Sequence, residues 1–91
     1  MNFKYSKNKI YFEGELGKTL AWIEFVKESD QIVNILHTVV DPSLAGQGVA
    51  GKMTETLMAR LRQEGKKVIP TCSYTIKWFE KHPEEQDLRV S

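Results

Sequence analysis

The hydrophobic residues of the first forty positions fall into short runs separated by polar turns, a pattern typical of β-strands. Three runs rich in β-branched and aromatic residues occupy positions 10–12, 19–26 and 32–40. Glycines, or a cluster of charged and polar residues, separate one run from the next. Since strands joined by short turns pair in antiparallel order, this half of the chain is predicted to form a three-stranded meander.

The pattern changes beyond position 48, where the hydrophobic residues take a helical spacing. Val49, Met53, Leu57 and Leu61 recur every fourth position, and charged residues fill many of the positions between them. Such a stripe predicts an amphipathic helix with one face against a core. Gly65 is a natural end for this helix.

The last third of the chain is predicted to add a strand, a short helix and a tail. Residues 67–72 form the strand, so that strand, helix and strand make a β-α-β unit whose two strands are parallel. Residues 74–81 form a helix that stops before Pro83, and the polar residues 84–91 form a flexible tail. The predicted fold class is α+β with the order β-β-β-α-β-α, in one domain over residues 1–91.

The composition and charge of the chain exclude several classes of partner and site. A chain of 91 residues allows one compact domain, and its 13 Lys and Arg against 12 Asp and Glu leave a net charge of +1. This balance predicts no nucleic-acid partner and no binding to an anionic membrane. Cys72 is the single cysteine, so no intrachain disulfide is possible, and no metal site is expected without a Cys/His cluster. Without a signal peptide or a membrane-length apolar run, we expect a cytoplasmic protein, monomeric or weakly dimeric.

A glycine-rich segment at residues 46–52 lies where a strand gives way to a helix, a position suited to phosphate binding. Its G-x-G-x-x-G spacing matches a dinucleotide fingerprint, but residues 41–45 intervene after the strand and no acidic residue ends the next strand. Its G-x-x-x-x-G-K spacing approaches a nucleotide P-loop, but Met53 stands where a magnesium-binding Ser or Thr belongs. Both of these interpretations are disfavoured.

A third interpretation accounts for the intervening residues. Residues 39–51 closely resemble the pyrophosphate-binding segment of GNAT-type N-acetyltransferases, with residues 48–50 as the G-x-A half of the family motif. Ala45 departs from the motif, since the family places Gln or Arg there. The resemblance covers essentially the whole chain and is closest to very short GNAT-like proteins. The other shared features are His37-Thr38, Pro70-Thr71-Cys72, Trp78-Phe79 and His82-Pro83.

The resemblance implies that acetyl-CoA, as a cosubstrate, lies in a cleft between the two parallel strands. The residues that it implies for cofactor binding are Val39, Val40, Gln47, Gly48, Val49, Ala50, Gly51 and Lys52. In this scheme the backbone of the first strand pairs with the pantetheine, and the amides of residues 47–51 hold the pyrophosphate. Lys52 either helps with the phosphates or belongs to a solvated helix face. No metal is implied.

Three side chains near the implied thioester are catalytic candidates. Tyr74 is placed where the family often has a tyrosine acid, although it could instead only line the cleft. Cys72 could act as a nucleophile or an acid, since a thiol near a helix N-terminus loses its proton more easily, or it could be a small buried hydrophobe. His37 could act as a base, or it could satisfy a hydrogen bond in the core.

The predicted function is therefore acetyl transfer from acetyl-CoA to an amine acceptor, either a small molecule or a protein. Larger family members carry additional elements that shape the acceptor pocket, and residues 1–91 are not predicted to contain them, so the acceptor stays open. The alternative is a non-catalytic CoA-binding or protein-interaction module that retains the cofactor cleft.

Overall fold

The structure, a computed structural model, describes residues 1–90 and contains one mixed sheet with two α-helices. The strands are β1 (Lys4–Ser6), β2 (Lys9–Glu13), β3 (Thr19–Ser29), β4 (Ile32–Val40) and β5 (Lys67–Pro70). The helices are α1 (Val49–Gln63) and α2 (Ser73–Lys81), with 3₁₀ turns at Glu15–Gly17, Pro42–Leu44 and Pro83–Leu88. The predicted α+β class is confirmed.

The sheet has the strand order β1-β2-β3-β4-β5. The first four strands form an antiparallel meander, and β5 pairs with β4 in parallel after the crossover through α1. The predicted meander and parallel β-α-β unit are therefore confirmed. The prediction lacked β1, because a strand of three residues is too short to show a period of two.

All buried strand side chains lie on one face of the sheet, which we call the covered face. Cross-strand pairing and alternation assign to it Ile10, Ala21, Ile23, Val33, Ile35, Val68 and Pro70. These strand residues, apart from Pro70, belong to the same hydrophobic cluster as buried residues of α1 and α2. On the opposite face, which we call the open face, no strand residue is buried among residues 1–90.

Strand β4 contains a β-bulge near its middle. Phe25 pairs with Ile35 and Glu24 pairs with His37, so Leu36 is an extra residue without a partner on β3. A bulge bends its strand and increases the local twist. This one directly follows Ile35, the last residue of β4 that pairs with β5.

Residues 84–90 are packed against the domain, which corrects the prediction of a polar tail. Leu88 is only 3% exposed and belongs to the core. The Val90 N–H donates to the Val68 carbonyl at 2.9 Å, and Asp87 accepts a hydrogen bond from Arg62 at 2.6 Å. One leucine in a polar run shows no periodicity, so the sequence pattern could not reveal this docking. Ser91 lies outside the described residues.

Candidate functional site

A cleft opens where β4 and β5 separate. Pro70, the last residue of β5, pairs with Ile35, and the next two amides, of Thr71 and Cys72, both donate to the Ile35 carbonyl at 3.1 and 2.9 Å. Beyond this point the chain leaves the sheet to begin α2, whereas β4 continues to Val40 with β3 as its partner. The last five residues of β4 therefore have one backbone edge without a neighbouring strand.

The hydrogen-bond pattern shows which backbone groups line this free edge. The Asp41 N–H donates to the Leu20 carbonyl at 2.7 Å, and backbone groups alternate in direction along a strand. The N–H and C=O of Thr38 and Val40 consequently point away from β3, and neither residue uses them within residues 1–90. The backbone of Val39 instead pairs with β3. This corrects the expectation that Val39 and Val40 both offer backbone groups to a ligand.

A tight turn joins β4 to the glycine-rich segment. The Asp41 carboxylate accepts a hydrogen bond from the Ser43 N–H at 2.9 Å, and this bond lowers the pKa of Asp41. The amides of Ala45 and Gln47 donate to carbonyls within the same turn. The Gln47 amide is therefore already used, which removes it from the predicted set of phosphate-binding amides.

The other backbone amides of the glycine-rich segment are free. Within the described residues, no backbone or side-chain acceptor receives the N–H of Gly46, Gly48, Val49, Ala50 or Gly51. The first turn of any α-helix leaves such donors unpaired, and the helix dipole adds partial positive charge at this end.

Two glycines give this segment its shape. Gly46 and Gly48 have φ of 81° and 69°, in the left-handed region that favours glycine. A Cβ atom built on either residue would meet nothing within 4 Å, so the space above this backbone is open to a ligand. Open space beside free donors is the arrangement that an anion such as a pyrophosphate requires.

Cys72 lies at the inner end of the cleft, immediately before α2. The residue is 9% exposed, and its thiol donates to the Thr38 Oγ1 at 3.5 Å. Burial raises the pKa of the thiol, but the Thr38 hydroxyl and the Thr75 and Tyr74 groups at the start of α2 favour the thiolate more strongly, and the net pKa is lowered. The buried Thr75 hydroxyl forms no hydrogen bond in the described part of the chain.

Tyr74 stands across from the first turn of α1. Its hydroxyl lies 3.7 Å from the position that a Cβ on Gly51 would occupy, and the side chain is 36% exposed. Burial, the negative charge of Glu55 and the nearby Cys72 all raise the pKa of Tyr74. The phenol therefore keeps its proton at neutral pH, as a proton donor must.

His37 and Lys52 are not part of this cluster. His37 is exposed on the open face and pairs with Glu24 across the strands, whereas its neighbour Thr38 faces Cys72 on the covered face. Lys52 is exposed in the first turn of α1, beyond the free amides. The structure thus brings together Cys72, Tyr74 and the glycine segment, and it separates His37 from them.

The sequence does not identify two residues of the site as functional. Thr38 is recognisable only as part of the His37-Thr38 dipeptide, although its side chain and its backbone both face the cleft. Thr75 follows Cys72 by three residues, which is the spacing between a helix cap and the third helical residue. That spacing is the signal by which Thr75 could have been found.

Two further features of the structure concern membranes and metals as partners. No helix in residues 1–90 combines the length and the hydrophobicity that a membrane crossing requires. In the same residues, no three or more His, Cys, Asp or Glu side chains come together in a way that could hold a metal ion.

Comparison with known proteins supplies a family. The family model of the GCN5-related N-acetyltransferases matches residues 9–88. A GCN5-like protein from Staphylococcus aureus has 30% sequence identity and a TM-score of 0.81, over 99% of this chain and 88% of that chain. No curated protein sequence matches the chain.

More distant solved structures share the fold. A GNAT-family N-acetyltransferase from Escherichia coli, solved with CoA, has 20% identity and a TM-score of 0.60, over 68% of this chain and 38% of that chain. GCN5 from Tetrahymena has 9% identity and a TM-score of 0.66, over 91% of this chain and 59% of that chain. The chain spans less than two thirds of the length of these two proteins. The family match and the Staphylococcus structure together show that the chain belongs to the GCN5-related N-acetyltransferase family.

Proposed function

We propose that this protein transfers an acetyl group from acetyl-CoA to an amine acceptor. The observation that carries the proposal is the set of free amides at Gly46 and at residues 48–51, beside the free backbone edge of β4. A distant relative solved with CoA supports the choice of cosubstrate. The acceptor is proposed only as an amine, from a small molecule or a protein.

The two halves of the site fit the two halves of CoA. The free amides of Gly48, Val49, Ala50 and Gly51 would bind the pyrophosphate, because they combine donors with the positive end of a helix dipole. The solvent-exposed Lys52 would add charge near the phosphates. ATP and NAD are expected to bind more weakly than CoA, because the segment lacks both a magnesium ligand and an acidic ribose partner.

The free edge of β4 would hold the pantetheine arm. An extended chain with amide groups can add to a sheet edge as a further strand does, through main-chain hydrogen bonds. Thr38 and Val40 offer a donor and an acceptor each along this edge. Acetyl-CoA supplies a thioester, whose carbonyl carbon accepts an amine and whose sulfur leaves.

Tyr74 is the proposed acid. Its raised pKa keeps the phenol protonated at neutral pH, so Tyr74 could give this proton to the departing sulfur. Cys72 has a thiolate-favouring setting and would serve either as a second proton donor or as a nucleophile that carries the acetyl group between substrates. His37 stands on the open face, away from Cys72 and Tyr74, and is therefore not assigned a role in this transfer.

The test is incubation with acetyl-CoA and a panel of amines, followed by mass spectrometry of the products and the protein. An acetylated amine without a protein adduct supports direct transfer, and an adduct that Cys72→Ala abolishes supports the covalent route. CoA binding by calorimetry with neither product nor adduct would replace this proposal with the alternative, a non-catalytic CoA-binding module.

A matched pair of variants tests the proposed acid. Tyr74→Phe removes only the phenolic proton donor and is expected to lower kcat by about a hundredfold or more. Tyr11→Phe makes the same change on the open face and is expected to leave kcat unchanged. Equal activity of the two variants would exclude Tyr74 as the acid.

A further inference from the structure

A second cavity lies at the opposite end of α1 from the glycine segment. It has a volume of about 260 Å³ and sits between the β1–β2 turn, the far end of β3 and the last turns of α1. Along α1, Leu57 is the first helix residue that lines this cavity, and it lies roughly 9 Å beyond Gly51, the last residue with a free amide. None of the residues proposed to bind acetyl-CoA lines this cavity.

The floor of the cavity is apolar. Val33, Leu57 and Leu61 form part of it, and each is at most 4% exposed, so these side chains are fixed by the core. The rings of Phe25 and Tyr5 also line the cavity. Rings of this kind favour an aromatic ligand, through edge-to-face or offset contacts as well as the area buried.

The rim is cationic. Lys7, Lys27, Arg60 and Lys66 line the cavity, against the single carboxylate of Glu64. That carboxylate is already engaged by two of them, since Arg60 Nε lies 3.2 Å and Lys66 Nζ lies 3.3 Å from its oxygens. Lys27 is itself paired with Asp30 at 3.1 Å. Two carboxylates therefore face four cations, which leaves a local surplus of two positive charges in a chain whose net charge is only +1.

The Arg60 side chain is restrained by two neighbouring residues. Its guanidinium carbon lies 3.9 Å from the centre of the Tyr5 ring, and Glu64 accepts from its Nε. A guanidinium restrained on two sides loses less freedom when it binds a carboxylate, whose two oxygens match its fork geometry. Lys7 makes no ion pair within residues 1–90 and adds a further positive charge at the rim.

We propose that this cavity binds a small aromatic carboxylate, with the ring against the apolar floor and the carboxylate at the Arg60 and Lys7 side of the rim. The volume is below the roughly 300–1,000 Å³ of sites for drug-sized ligands, which fits a ligand with one ring. This site is independent of the proposed acetyl transfer and does not need it to be correct.

The experiment is an NMR titration of the ¹⁵N-labelled full chain with benzoate, benzamide and acetate. Benzoate is expected to give saturable shifts confined to the cavity residues, with an affinity about tenfold above that of benzamide, because only benzoate carries the charge. Acetate carries the charge without the ring and is expected to bind more weakly than benzoate. Absence of saturable shifts with benzoate, or equal affinity for benzamide, overturns the proposal.

Two charge reversals provide the matched control. Lys7→Glu is expected to weaken benzoate about tenfold, since it replaces an attraction with a repulsion at the rim. Lys77→Glu makes the same change in net charge on the exposed side of α2, away from the cavity, and is expected to leave the affinity unchanged. Equal weakening by both variants would show attraction to the overall charge and would contradict the assigned site.

Discussion

Replacing Gly48 with valine tests the proposed phosphate site directly. Gly48 has φ of 69° at the start of α1, and a non-glycine residue in this region costs about 1–2 kcal/mol. In a domain of this size, that cost corresponds to a fall in Tm of roughly 4–16 °C. A loss of stability alone would say nothing about a ligand, so the test needs a second glycine with the same backbone strain.

Gly65 provides that control. It has φ of 71° just beyond the other end of α1, and a Cβ on it would also meet nothing within 4 Å. Gly65→Val and Gly48→Val are therefore expected to lose similar free energies of unfolding in urea. Only Gly48→Val places a side chain over the free amides of the helix start.

The two variants are expected to differ in their affinity for acetyl-CoA. Hydrogen bonds to a charged group contribute about 1.5–3 kcal/mol each, so losing one weakens binding by about tenfold to a hundredfold. Isothermal titration calorimetry should show this loss for Gly48→Val and an unchanged Kd for Gly65→Val, at a temperature where both variants are folded. Equal affinities for the two variants would refute the assignment of phosphate binding to this segment.

Three other changes test the docked C-terminus and the thiol. Leu88→Ala should lower the free energy of unfolding by about 2–5 kcal/mol in urea titrations, because it leaves a cavity in the core. Thr38→Val should move the alkylation of Cys72 to higher pH, because the hydroxyl favours the thiolate and its loss raises the thiol pKa. The hydrogen bond from Arg62 lowers the pKa of Asp87, so this stabilisation is present above the ordinary carboxyl pKa and is lost as pH falls through the lowered value. Asp87→Asn should therefore reduce the dependence of Tm on pH in the acid range.

Each of these changes has a control elsewhere on the surface. Val90→Ala, at a side chain that is 45% exposed, should change the unfolding free energy by about 0.5 kcal/mol or less. Thr56→Val removes an exposed hydroxyl that donates to the Lys52 carbonyl within α1 and not to the thiol, and it should leave the alkylation profile unchanged. Asp30→Asn should keep the acid dependence of Tm, since the pairing of Asp30 with Lys27 is exposed. If a control variant gave the same result as its test variant, the physical reason given for the test variant would be wrong.

The sequence predicted the elements whose patterns extend over many residues. Strands β3 and β4 are long enough for their strand pattern to be recognised, and so is the hydrophobic stripe of α1. A strand of three residues and a docked segment held by one leucine offer no such period. Their positions depend on tertiary contacts, such as the bond from Val90 to Val68, which a local pattern does not contain.

The sequence predicted where in the fold the site lies, but not which backbone groups and side chains face it. The glycine segment and its position before α1 follow from residue types alone, because glycines and a helix start are visible in the sequence. The direction of each backbone group depends on the pairing with β3, so the sequence did not distinguish Val39 from Thr38. The face on which His37 stands, opposite Cys72, depends on the same register.

The bulge at Leu36 bends β4 at the point where its pairing with β5 ends. The pairs on either side of Leu36 keep consecutive partners on β3, so removing this one residue would leave every other side chain of β4 on its present face. The strand would lose only its bend. One surplus residue thus shapes the mouth of the cleft without changing which side chains of β4 face the core.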